Sequence, residues 1–175
     1  MPVFKLITKN HYKDSNAVES LLHYITRNDK TESYLIGGYG IYPYSTLDEI
    51  ALQFQCVKYG YRKTNGVQLQ HFLISFDYEE WVSDYQVYNL AYHVAAYYDG
   101  QFQVAYAVHH DTLNVHVHFI VNSVSYVDGH KMDFGKDDFW LLASHVYYSI
   151  AGEYSHWKLN EKSKLKKLVV TYEKD

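Results

Sequence analysis

The 175-residue sequence has little sulfur and few chain-breaking residues: one cysteine, Cys56, 2 prolines and 9 glycines. A single thiol excludes a disulfide framework and argues against a cysteine-based zinc site. Cys56 falls in a predicted helix and reads as a plain buried thiol. Long apolar runs are missing, so no membrane span is expected. The segment Met1 to Lys5 lacks the basic-then-apolar layout of a signal peptide. There is no internal repeat and no low-complexity tract. Excess positive charge is missing as well. With 16 basic and 20 acidic residues the formal net charge is −4, which counts against a nucleic-acid binder that relies on global attraction. The remainder is an ordinary globular composition, 47% hydrophobic and 21% charged, enough for one domain with its own core.

Tyrosine and histidine are present in excess, at 20 and 11 residues. Most of the tyrosines fill strand and helix flanks, but an aromatic-rich surface also suits base stacking, which needs no net positive charge. The basic residues are clustered. Lys58, Arg62 and Lys63 form one group, and Lys158, Lys162, Lys164, Lys166 and Lys167 another.

Residues 2–9 alternate as a strand. Residues 16–27 read as a helix, with Asn16 and Glu19 as a capping box and Val18, Leu21, Leu22 and Ile25 at helical spacing. Residues 31–45, with Gly37-Gly38 and Pro43, read as loop. A second helix starts at Thr46, with Glu49 as its box partner, and runs to about Tyr59. A strand is predicted over 67–76 and a helix over 83–99, ending near Gly100. Two further strands, 102–110 and 114–126, are joined by a tight connection. Asp128-Gly129 is a hairpin turn into a short strand near 130–134. Residues 136–158 read as a long helix. The expected class is α+β, a central antiparallel sheet with helices packed against it.

The strongest chemical signal is the run from Val108 to Asn122. Residues two apart in a strand share a face, so His116 and His118 point the same way, together with Asn114, Ile120 and Asn122. Val115, Val117, Phe119 and Val121 form the opposite, core face. A two-residue loop at Thr112-Leu113 sets His109 opposite His116 and diagonal to His118, within about 5–8 Å between backbone positions. Three imidazoles then converge as a metal site requires. Asp111 shares the face and can orient a ligand ring. A one-residue slip would bring in His110 and turn His109 away.

The string His109-x-Asp111-x-x-x-x-His116-x-His118-Phe119-x-x-Asn122-Ser123-Val124 resembles the third motif of MOBP-type relaxases, in the HUH endonuclease superfamily. Leu21-Leu22-His23-Tyr24-Ile25-Thr26, followed by Lys30-Thr31, is similar to the first relaxase motif, whose tyrosine is the nucleophile. His71-Phe72-Leu73-Ile74-Ser75-Phe76 is similar to the second, whose serine helps hold DNA. The resemblance spans roughly residues 1–160. It implies a relaxase catalytic domain there, with 161–175 a basic tail leading into a linker to a further C-terminal region. It implies catalysis by Tyr24 with Asp111, a divalent ion (Mn²⁺ or Mg²⁺) on His109, His116 and His118, and DNA contacts from Ser75, Lys58, Arg62, Lys63 and Asn122. The implied substrate is single-stranded DNA at a transfer origin, beside a hairpin. The implied setting is the bacterial cytoplasm, with passage to a recipient cell bound to DNA. An accessory origin-binding protein and a type IV secretion coupling protein are the implied partners.

The residue types suit phosphodiester chemistry. An ion on the histidines would neutralise charge on the scissile phosphate. A free tyrosine with a pKa near 10 needs activation, and Asp111 and His110 are candidate bases. A rolling-circle replication initiator shares the metal motif but usually places its tyrosine after it, where Tyr147-Tyr148 stand. A cupin-like metal oxygenase would have more short strands and fewer helices. A non-catalytic DNA-binding module is the third alternative.

Overall fold

Alternating strand and helix patterns assemble around one sheet in the computed structural model, which describes residues 2–153 and 169–174. The strands are β1 (Val3–Thr8), β2 (Ile36–Tyr39), β3 (Leu69–Ser75), β4 (Val104–His109), β5 (His116–Asn122) and β6 (Val169–Lys174). The helices among the described residues are α1 (Ala17–Ile25), α2 (Leu47–Gly60), α3 (Asp84–Ala95) and α4 (Lys136–Glu153). The sheet order is β2-β4-β5-β3-β1-β6. Neighbours are antiparallel from β2 through to β1, and β6 joins β1 in parallel. The class is α+β, a mainly antiparallel sheet with helices packed on it.

Both faces of the sheet are covered. On one, Val87, Leu90 and Val94 of α3 and Leu142 and Val146 of α4 pack on Phe4, Phe72, Val117 and Phe119. On the other, Leu21, Leu22 and Ile25 of α1 and Ile50 and Phe54 of α2 pack on Leu69, Ala105, Ala107 and Ile120. The histidine face of β5 is therefore a second core face and not a solvated one. Only its end at His116, where α1 stops, stays open to a reactant.

Several sequence expectations are corrected in detail. Residues 36–39 are a strand inside the predicted loop, and Gly37-Gly38 serve close approach. A Cβ on Gly37 would lie 2.3 Å from the Tyr106 ring, and one on Gly38 would lie 2.5 Å from the Val104 carbonyl. Asn16 makes no side-chain cap, whereas the box of Thr46 and Glu49 is complete. The predicted helix 83–99 is α-helical to Ala95 and then tightens over Ala96–Tyr98, before Gly100 at a φ of 76°. The strand expected near 130–134 is a single bridge, Val124 to Lys131. Cys56 is exposed, because α2 turns Ile50, Ala51, Phe54 and Lys58 inward and position 56 outward. Val169–Lys174, left in the basic tail by the sequence, is the sheet's edge strand. The lysines Lys158, Lys162, Lys164, Lys166 and Lys167 lie outside the described residues. No helix among the described residues is long and apolar enough to cross a membrane.

Candidate active site

The central hairpin supplies the histidines. β4 and β5 pair His109 with His116 and Ala107 with His118. This is the register that a loop centred on Thr112-Leu113 implies, although the loop takes in residues 110–115 and not two residues alone. His109, His116 and His118 each offer a ring nitrogen within 4.8 Å of the other two. Their ring centroids are 4.6–5.3 Å apart.

Each ring is tethered from behind. His109 Nε2 donates to the Ile25 carbonyl at the end of α1, 2.7 Å away. Its Nδ1 is then the lone-pair nitrogen, and it is buried without a hydrogen-bond partner. His116 Nδ1 donates to the Asn114 carbonyl at 3.0 Å, which leaves Nε2. His118 Nδ1 lies 2.9 Å from His71 Nε2, and His71 Nδ1 lies 2.6 Å from the Tyr12 hydroxyl. With the proton on His118 Nδ1, the lone pair is on Nε2. Back-bonding of this kind sets the tautomer and orientation of metal-binding imidazoles. Burial, with the neighbouring imidazoles adding to it, pushes His118 down to about 2. His109 is held at about 4, chiefly by burial. Both rings are neutral at neutral pH, the form that can coordinate. An orphaned, buried lone pair on His109 Nδ1, within a set of three convergent ring nitrogens, fits a divalent ion.

Tyr24 closes the front. It lies in the last turn of α1, one residue before the Ile25 carbonyl that holds His109. Ile25 and Leu21 anchor the helix in the core, while Tyr24 is 45% exposed. Its ring centroid is 6.0 Å from His118 and 6.4 Å from His109. The Lys30 ammonium sits 5.4 Å from that ring centroid and donates to Asp111 at 2.7 Å. This hydrogen bond raises Lys30 above the ordinary lysine value and lowers Asp111 below the ordinary carboxylate value. Asp111 is therefore an ionised partner of Lys30, not the orienter of a ligand ring. His110 turns towards α3, its Nδ1 3.3 Å from the Asp84 carboxylate. Ser75, the last residue of β3, pairs with His116 across the strands.

Other residues fall elsewhere. Asn122 is fully buried, donating to the Phe54 carbonyl and to Gln103. Lys58 is 3% exposed and donates to the Gln68 carbonyl. Desolvation lowers it to about 7. Neither presents a polar group to a surface ligand. Arg62 and Lys63 are exposed beyond the end of α2. That region adjoins the Asn122 end of β5, roughly 20 Å along the strand from His116 at about 3.4 Å per residue. Tyr147 and Tyr148 belong to α4, on the sheet face away from the histidines.

Three neighbours carried no assigned role in the sequence: Lys30, His71 and Tyr12. Lys30 and His71 stood inside motif strings, which was their only signal. Tyr12 gave none.

The chain matches the Relaxase family, described as MobA/VirD2-like, nuclease domain, over residues 24–144. No curated protein matches it.

Proposed function

The chain belongs to the relaxase family of MobA/VirD2-like nuclease domains, and on that footing we propose that it nicks and reseals single-stranded DNA at a transfer origin through Tyr24. The observation that carries the reading is the tyrosine ring set against two of three convergent histidines, with a lysine cation beside it.

In the proposed reaction the Tyr24 oxygen attacks the scissile phosphorus. A tyrosyl O–P bond forms, the P–O3′ bond breaks, and the 3′ oxygen leaves as a hydroxyl after gaining a proton. The phenol proton passes to solvent or a nearby base. The 5′-phosphotyrosyl link keeps the energy of the broken ester, so the reverse attack by the 3′-hydroxyl reseals the strand. Lys30 favours the phenolate and the negative phosphate, because a fixed cation beside developing charge lowers the barrier without reorganisation. Asp111 holds Lys30 in place. His109, His116 and His118 would hold a divalent ion, which would supply charge neutralisation at the phosphate. Imidazole ligands suit Mn²⁺ better than Mg²⁺, which prefers oxygen. Transfer to a recipient cell, an accessory origin-binding protein and a secretion coupling protein belong to this same reading, as does a cytoplasmic site of action.

The test is adduct mapping. The protein is incubated with Mn²⁺ and a random pool of single-stranded oligonucleotides, and the covalent adduct is digested and sequenced by mass spectrometry. A single adduct on Tyr24, lost in Tyr24→Phe with folding unchanged, is expected. An adduct on Tyr147 or Tyr148 would instead support a replication initiator.

A further inference from the structure

The turn between β3 and α3 exposes aromatic rings near the His116 end of the sheet. Trp81 is 88% exposed, and Tyr78 and Tyr85 are exposed on either side of it in the chain. Trp81 also has a φ of 51°, a left-handed conformation that is unfavourable for a bulky residue. Two reciprocal caps hold it there. Before it, the Asp77 carboxylate accepts from the Glu79 amide while the Asp77 amide donates to the Glu80 carboxylate. After it, Ser83 and Gln86 make the same exchange. An exposed indole on strained backbone serves neither the core nor the turn, so its use lies in a contact outside the chain. The Tyr78 amide donates to the Asn114 side chain, and the Asn114 carbonyl holds His116, which fixes the turn to the loop of residues 110–115. Between turn and loop lies a hollow of about 320 Å³, whose lining includes Phe76, Asp77, Tyr78, Trp81 and the exposed Leu113.

The charge of this turn is of one sign. Asp77, Glu79, Glu80 and Asp84 fall within eight residues, and no lysine or arginine occurs from Thr64 to His130. We propose that the turn and its hollow dock an arginine-rich segment of a partner protein. A guanidinium is flat, stacks on an indole face and pairs with carboxylates at the same time. Trp81 and Tyr78 supply the ring faces. Asp77 and Glu79 supply the charge. The exposed Glu79 carboxylate is set beside Tyr78, whose hydroxyl donates to it at 3.2 Å. Leu113 covers the alkyl stem of an arginine. A DNA strand fits worse, because the same carboxylates repel its phosphates. A small cation would leave most of the aromatic surface from Tyr78 to Tyr85 uncovered. The partner thus sits beside the active site without filling it, and it binds whether or not Tyr24 nicks.

The test titrates the whole chain, in chelator and without DNA, with an alternating arginine–serine peptide. Binding is followed by amide and indole NMR and by the anisotropy of labelled peptide. Saturable shifts of the Trp81 indole and of the Tyr78 and Leu113 amides are expected, without shifts at Phe54 under the other face of the sheet. Trp81→Gly should weaken binding about 10-fold, which is about 1.4 kcal/mol. It should not lower Tm, because glycine adopts that φ without strain. Glu79→Lys should weaken binding more at low salt than at high salt; if Trp81→Gly melts lower, this variant decides. The matching lysine–serine peptide should bind several-fold more weakly. Absence of shifts, binding that survives both variants, or equal binding of the lysine peptide would overturn the proposal. So would a single-stranded oligonucleotide that shifts the Trp81 indole where the arginine peptide does not. Binding that appears only after Lys158, Lys162, Lys164, Lys166 and Lys167 are replaced by glutamine would assign the surface to the chain's own segment, and would overturn it equally.

Discussion

Lys30 joins two charges that meet at the tyrosine: it is bound to Asp111 and lies over the Tyr24 ring. Replacing it by methionine removes the cation but keeps the stem. Lys30→Met should slow single-turnover nicking by roughly 10²–10³-fold, the cost typical of losing one charge-stabilising donor, with oligonucleotide affinity changed much less. His71 acts through His118, as a positioning residue. His71→Phe should weaken Mn²⁺ binding about 10–100-fold by calorimetry, as loss of a bond behind a ligand does. His109 also links folding to pH. It titrates at about 4 in the folded chain against 6.5 in its absence, so the unfolded chain takes up the proton first. Its contribution is present in full above pH 6.5 and is lost as the pH falls through 4. The loss from His109 alone is on the order of 3 kcal/mol. His118, lower still, adds to it over the same range, so urea melts of the metal-free protein should show at least that loss between pH 6.5 and 4.

Element boundaries show where local chemistry and packing divide the work. α2 starts at Thr46 through a reciprocal cap, in which the Glu49 amide donates to the threonine hydroxyl and the Glu49 carboxylate accepts from the Thr46 amide. Thr46→Ala should cost about 1 kcal/mol in a denaturant melt. β2 depends instead on tertiary contact. Gly37 faces Tyr106 of β4, so even one methyl group has no room. Gly37→Ala should cost ~1–3 kcal/mol through overpacking, seen as a lower Tm. The loop of residues 110–115 is held by short-range and long-range bonds together. Phe76 donates from its amide to Val115, Tyr78 donates from its amide to the Asn114 side chain, and the Asn114 carbonyl holds His116. One loop thereby ties the end of β3 to a histidine of the triad.

For the whole molecule, the sheet and the triad are coupled because two adjacent central strands carry all three histidines while α1 covers them. An ion bound there would stabilise the folded chain by mass action, by about 2.7 kcal/mol when its concentration is 100-fold above its Kd. Mn²⁺ should therefore raise Tm in proportion to the logarithm of its concentration, and His118→Ala should abolish that dependence. A Tm indifferent to Mn²⁺ in the unaltered protein would reject a metal role for the triad.

Sequence by itself determined the strand alternation that puts His116 and His118 on one side, the helical stripe that buries Leu21, Leu22 and Ile25 beside Tyr24, and the cap at Thr46. These are local properties of the chain, set by periodicities of 2.0 and 3.6 residues. Tertiary structure alone decided what faces those positions. Parity placed Asp111 near the histidines, but Lys30, 81 residues away, claims its carboxylate. Nearness in sequence grouped Lys58 with Arg62 and Lys63, but the inward turn of α2 buries Lys58. Asn122 shares the histidine face in sequence, yet α2 covers its end of that face and binds it. β3 brings His71 behind His118 through strand pairing with β5, which joins residues 47 apart. Such pairings follow from how the sheet is ordered, and no local pattern in the chain encodes that order.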